Sequence, residues 1–536
     1  MSNERCRFKF NPAEWETKHD ARCNLSDELL EDGQWHCPHD TDGDSTFCIF
    51  HRNTEEKDSE AVAEALIELV NSDANQRGRA RENRRFIGAR LSALPVDNAV
   101  LGEGSNYPID FRYSRVDDAL DIEYATFSAP VFLDGSDIAS ISAHGSTFEK
   151  RVEAPDAIFH SFDFQSAAFE DRANFRNTRF GDGSLFNICF NERAVFRQAT
   201  FDFPAHFDNG AFVSEAIFTR CRFESIAVFD DVEFHAASLF RNSELTADIS
   251  FQNATFHGEL QFVPASVESD DIKIRFQGSR INAGELTYRQ EAPVIFVLRE
   301  ATLGPVDIGA PEGPPNLDNY WFLDTSFEGF DFADYTDTLI ARNWLIHPLA
   351  EDIPSTDSIV VSHLPFLRRA RQTLRLWRVR PLEDIDTSPG LLRATYLRAK
   401  NGAKEVGDNT ASAEFFLHEM RYKRKAYFTG SNRSRLSMLR WILNWGYNLT
   451  AGYGERPFRT VVFSFVIILL FGWLYTLISA VSYREGVAFS VQAFVALVLG
   501  APTSSGRLSI AAATEAFVGA FMIALFVFTL TRSVRR

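Results

Sequence analysis

Phenylalanine recurs in this chain with a regularity that few folds can accommodate. Phe stands at positions 164, 169, 175, 180, 186, 190, 196, 201, 207, 212, 218, 223, 229, 234, 240, 251, 256 and 262, and Leu245 fills the one gap. From Phe190 onward the steps alternate between six and five residues, so the unit is eleven residues long. Alanine precedes many of these rings by two positions, as Ala167, Ala173, Ala194, Ala199, Ala205, Ala216, Ala227 and Ala254. An eleven-residue period also suits a right-handed helical supercoil. At about 100° per residue, however, positions five apart lie about 140° apart around an α-helix, and the two Phe of a unit cannot share a face. In extended chain, residues two apart point the same way, so each Phe and the Ala before it face one interior. Asn, Asp and Gly between them supply turns, and short strands stacked into a solenoid satisfy the whole pattern.

At stretches such as "ANFRNTRF" and "AVFRQATF" the chain resembles the pentapeptide-repeat family. The resemblance implies a right-handed quadrilateral β-helix that buries a central Phe or Leu and a small residue two earlier. It is clear from Phe159 to Phe262 and weaker from Tyr124 to Phe148. The six-residue steps depart from the family pattern and are expected to bulge a corner of some coils. Beyond Phe262, "KIRFQGSRINAGELTY", "VIFVLREATLGPVDIG" and "FLDTSFEGFDF" read as irregular coils, with "GAPEGPPNLD" as a corner loop. The β-helix is expected over residues 110–340, after a helical segment over 56–95.

Past residue 360 the period changes. Tyr396, Leu397, Phe415, Phe416 and Met420 fall at helical spacing around a Gly407-Asp408 turn, a helical hairpin. It resembles the tetratricopeptide-like helix pairs that connect such solenoids to membrane modules. "SRLSMLRWILNWGYNL" is amphipathic and suits the inner membrane face; together these make a linker over 360–450.

Two apolar runs follow. Thr460 to Val481 holds no charge in 22 residues, enough to cross about 30 Å of hydrocarbon as a helix. Leu508 to Leu530 is of similar length and carries one carboxylate, Glu515. Lys and Arg flank the outer ends of this pair, while the loop between has only Arg484 and Arg507, which places both termini in the cytoplasm. "MSNERCRFKF" lacks the apolar core of a signal peptide. Between the runs, Phe489 to Leu508 is an apolar stretch too short to cross, then a Gly/Pro/Ser loop. Span, short helix, loop, span over 456–536 resembles two-transmembrane potassium-channel-like pore domains. That resemblance implies a homo-oligomer, tetrameric by analogy, with Gly500, Thr503, Ser504 and Ser505 in a pore loop and Glu515 and Gly519 as pore-helix or gating positions. The loop reads Leu-Gly-Ala-Pro-Thr rather than Thr-Val-Gly-Tyr-Gly, which leaves potassium selectivity unsupported. The filter-like Thr450 to Gly454 precedes the first span, among arginines, and is no filter. As alternatives, Glu515 sits favourably near a helix N-terminus and Gly519 permits close helix packing.

Four of the six cysteines, Cys6, Cys23, Cys37 and Cys48, lie within residues 1–55. In a reducing compartment such a cluster reads as a metal site rather than as disulfides. Four thiolates, or three with His39 or His51 as an alternative ligand, suit structural zinc. Buried free thiols are the competing reading, and Cys189 and Cys221 are packing residues.

Net charge is −18, and only nine of the 55 basic residues are Lys. This composition suggests adaptation to high salt or an ordinary acidic cytosolic protein, and it argues against general nucleic-acid binding. No Gly-x-Ser-x-Gly, phosphate loop or His-Glu-x-x-His is present, so no enzymatic chemistry is expected. Two functions remain. One is an ion-channel-like membrane protein passing monovalent cations, with the solenoid as sensor or docking surface. The other is a non-conducting anchor in the lipid bilayer for an acidic β-helical scaffold that binds a protein partner.

Overall fold

The computed structural model describes residues 5–72, 81–104, 106–268, 272–289, 294–309, 316–348, 388–429, 435–479, 481–496 and 506–534. The chain divides into two compact units, residues 1–331 with 337–379, and 332–336 with 380–536.

The first unit is a parallel β-solenoid. Its strands, most of them two residues long, run from Arg90–Leu91 to Ser326–Phe327. The first strand lies ahead of residue 110 because Leu91, Leu94, Val96 and Leu101 fill interior positions with aliphatic side chains, outside the Phe series. Phe148 pairs with Phe169 and Phe169 with Phe190, an advance of 21 residues per coil. Phe190, Phe212, Phe234 and Phe256 then pair in succession at an advance of 22.

Corner chemistry explains these lengths. Five-residue steps turn through one left-handed residue, in two columns: Asp156, Asn177, Gln198, Arg220 and Asn242, and Ser166, Asn187, Asn209, Asp231 and Asn253, all with φ between 56° and 62°. Asn and Asp tolerate this region best. Gln198 and Arg220 are held there by backbone bonds to the next coil, from their N–H groups to Thr219 O (2.9 Å) and Arg241 O (2.8 Å). Six-residue steps, such as Phe190 to Phe196, instead accommodate the extra residue in a bend, so the expected bulge is a recurring corner type. The 21-residue coils have one corner where the strand runs straight through, as in Ile158–Asp163 and Arg179–Ser184. Phe186 leaves the interior series for this reason. The straight run brings Leu185 inside, and Phe186 is 37% exposed.

The interior is built of aromatic columns. Phe196, Phe218 and Phe240 stack at 4.8 Å per step, and Phe207 stacks on Phe229 at 4.6 Å. Neighbouring columns meet edge to face, as Phe207 and Phe218 do at 89°, the pairing that aromatic quadrupoles favour. Ala194, Ala205, Ala216 and Ala227 are buried beside them. Leu245 continues the column of Phe223. Helix α1 (Pro12–His19), a two-stranded antiparallel pairing of Lys9–Phe10 with Trp35–His36, and helix α2 (Ser59–Asn71) cover the N-terminal end. α2 buries Val62, Ala63, Leu66 and Val70, closing a core whose first coil has no neighbour, as solenoids require.

The second unit is helical. α3 (Pro389–Glu405) and α4 (Asn409–Thr429) form the expected hairpin around Gly407, whose φ is 86°. Asp408 caps α4 through the N–H of Ala411 at 2.9 Å, and Tyr396 stacks on Tyr422. α5 (Arg435–Ala451) exposes Leu436, Leu439, Leu443 and Trp445. Then come α6 (Pro457–Ser479), α7 (Tyr483–Phe494) and α8 (Arg507–Val534), which pack on one another. α6 and α8 are long and apolar enough to cross a membrane, and they turn Phe465, Leu470, Leu477, Phe517 and Phe521 outward.

Candidate metal centre and membrane site

Three of the four N-terminal cysteines come together. Cys6, Cys37 and Cys48 meet His51 in a buried group whose ligand atoms all lie within 4.8 Å of one another. Cys48 and His51 share one turn, closed by His51 N–H to Cys48 O at 3.0 Å. Cys37 follows the strand Trp35–His36, and its N–H bonds Phe8 O, which brings the segment around Cys6 alongside. Cys37 Sγ lies 3.8 Å from Cys48 Sγ, and His51 Nδ1 lies 3.1 Å from Cys48 Sγ and 4.0 Å from Cys6 Sγ. His51 Nε2 donates to Ile87 O at 3.0 Å. That bond puts the ring proton on Nε2 and leaves the Nδ1 lone pair facing the sulfurs, the outer-shell arrangement that orients a metal-binding imidazole. Phe8 stacks on the ring at 4.0 Å and fixes its plane.

The donor set fits a tetrahedral ion. Two metal–sulfur bonds of about 2.3 Å at a tetrahedral angle hold their sulfurs about 3.8 Å apart. Hydrogen bonds from Cys37 and Cys48 pull the Cys6 thiol far below its usual range, while the bond with Cys48 pushes Cys37 far above it. Ionising all three sulfurs at such close range calls for a cation among them. The group is able to hold a metal.

Cys23 does not join it. The thiol is half-buried beside Tyr113, burial pushes its pKa up, and its N–H binds Glu16 Oε1 at 2.8 Å. His51 takes the fourth position instead, because the turn from Cys48 returns it to the cluster while Cys23 is drawn away by α1. His39 is also outside: burial lowers its pKa to about 4, its Nε2 donates to Arg85 O at 2.9 Å, and its ring stacks on Phe86.

In the second unit, Glu515 is fully buried on α8. Tyr475 of α6 donates its hydroxyl to Glu515 Oε2 at 2.5 Å, and Ser490 Oγ of α7 hydrogen-bonds Oε1. One carboxyl group thereby ties three helices. Tyr475 and Ser490 escaped the sequence reading, since neither spacing nor composition pairs residues so far apart. Gly519 is a packing residue: a Cβ there would lie 2.1 Å from Phe494 O. Gly472 and Gly486 allow a similar approach of α6 to α7. Gly500, Thr503, Ser504 and Ser505 lie outside the described residues. Within the filter-like stretch, Gly452–Gly454 is a buried turn, with Tyr453 left-handed at φ 58° and its hydroxyl on Asn444 Oδ1 at 2.7 Å.

Residues 218–266 match the family model described as pentapeptide repeats (9 copies). No curated protein and no solved structure matches the chain. The matched stretch lies among the 22-residue coils, where Phe218 stacks on Phe240, Phe229 on Phe251 and Phe234 on Phe256, with Cys221, Ala227, Val232, Ser238 and Ala254 buried two positions before the next ring, and this segment of the solenoid is one of pentapeptide repeats.

Proposed function

We propose that this is an integral protein of the cell membrane, both termini cytoplasmic, in which a channel-like two-span domain is joined to a pentapeptide-repeat solenoid that serves as sensor or docking surface. The observation that carries the reading is α7. A twelve-residue helix, too short to span, packs against two apolar helices and is bound to one of them through Ser490 and Glu515. Short non-spanning elements at membrane depth are tolerated where protein or a water-filled path covers them. Assembly of identical copies, four by resemblance, would place such a path for monovalent cations between subunits. The reading assigns no catalytic step and no nucleic-acid partner. In the same proposal the Cys6, Cys37, Cys48 and His51 group holds structural zinc that fastens the N-terminal cap.

Purified protein in liposomes tests it: K⁺ and Na⁺ flux that changes when residues 500–505 are replaced supports conduction. Silence from folded oligomers under several salts favours the second reading, a non-conducting anchor for a protein-binding scaffold. That reading draws on Glu515, whose two oxygens are both engaged by Tyr475 and Ser490 of its own chain.

A further inference from the structure

Outside the cysteine group, two histidines and a glutamate converge on the outer wall of the solenoid. Glu233–Phe234 pairs in parallel with Thr255–Phe256, and the two Phe rings stack inside at 4.7 Å and 3°. The residues that follow, His235 and His257, inherit that spacing on the outside: their rings lie 4.9 Å apart and 8° from parallel. Glu233, two positions before His235, points to the same side, and its Oε2 sits 3.2 Å from His235 Nε2. The carboxylate oxygen and one nitrogen of each ring are within 4.8 Å of one another, and all three side chains are exposed.

We infer that Glu233, His235 and His257 form a second, solvent-accessible binding site for a divalent transition-metal ion such as Zn²⁺, Ni²⁺ or Cu²⁺. Around a tetrahedral ion, bonds of about 2.0–2.1 Å hold such donors about 3.3 Å apart. The side chains are exposed and close the remaining distance by rotation, while the stacked Phe beneath keep their Cα positions fixed. Two neutral imidazoles with one carboxylate select imidazole-binding ions over Ca²⁺ and Mg²⁺, which take oxygen ligands. Three protein donors leave a position for water or an external ligand, unlike a closed structural site. Since His235 and His257 belong to successive coils, a bound ion staples one coil to the next and stabilises the folded state by mass action. The inference is independent of the membrane reading.

The test compares wild type with His257→Ala and His235→Ala, each as full-length protein in lipid nanodiscs, by calorimetric titration with Ni²⁺ and by electron paramagnetic resonance with Cu²⁺. Both substitutions are at exposed positions, and the difference from wild type isolates this site whatever the cysteine group binds. Wild type is expected to take up one Ni²⁺ more than either variant, or to bind that ion at least about tenfold more tightly, as loss of a metal-site partner costs. Its Cu²⁺ spectrum should show nitrogen hyperfine splitting that weakens in both variants, while His160→Ala, at another exposed histidine, changes nothing. Equal uptake and equal spectra in wild type and His257→Ala would overturn the site and leave an ordinary His235–Glu233 ion pair.

Discussion

The tautomer of His51 shows how one backbone carbonyl decides a site. Ile87 O accepts the hydrogen bond from Nε2–H and so leaves the Nδ1 lone pair to the sulfurs. If zinc binds there, Cys48→Ser and His51→Ala abolish stoichiometric zinc measured by atomic emission on purified protein, and Cys23→Ser retains it. Equal loss in Cys23→Ser would reject the ligand set. Asp134 gives a second test at this scale. Burial raises its pKa to about 7 from 3.8, against the hydrogen bond that Asn24 Nδ2 donates to Oδ1 at 3.1 Å, while Oδ2 is unpartnered. The folded state therefore keeps a proton that the unfolded chain releases, so stability falls as pH rises from about 4 to about 7. The full loss, on the order of 4 kcal/mol, holds above that window. Asp134→Asn should flatten this slope in urea titrations across pH 4–8; an unchanged slope would show that Asp134 ionises freely in the fold.

At the scale of elements, solenoid coils and the long apolar helices are held by opposite means. Coils stack large rings in register. Phe212, buried between Phe190 and Phe234, should cost about 3–5 kcal/mol as Ala, whereas the half-exposed Phe186 should cost within about 0.5 kcal/mol. Chemical denaturation separates the two, and similar losses would contradict the interior assignment. The apolar helices approach through small residues. Gly519→Leu drives a side chain into Phe494 O, so its expected result is loss of thermal stability in detergent, while Gly446→Ala, with open space around the new methyl, is tolerated. A Gly519→Leu protein as stable as wild type would mean that α7 does not pack as described.

Across the whole molecule, charge is distributed by task. The chain carries −18 overall, yet the segment before the first long apolar helix is rich in Arg, the asymmetry on which the proposed orientation rests. In the proposed topology, which puts both termini in the cytoplasm, Ser482→Cys between the two apolar helices is expected to react with an impermeant maleimide on intact cells, and Lys404→Cys in the hairpin only after permeabilisation. The reverse pattern would invert the topology.

Fold class was legible in the sequence because the solenoid repeats one local rule. Parity along extended chain sends Phe and Ala inward wherever the steps hold, and an uncharged run of 22 residues needs no partner to declare itself apolar. Three cysteines of the buried Cys/His group were likewise visible as a cluster. The choice of His51 over Cys23 was not, since it depends on a turn and on the carbonyl of Ile87, 36 residues away. The knot of Tyr475, Ser490 and Glu515, 40 residues from end to end, and the His235–His257 pair likewise exist only once helices pack and coils stack. Periodic, short-range preferences determine the elements; which distant polar groups become neighbours is decided by tertiary packing alone.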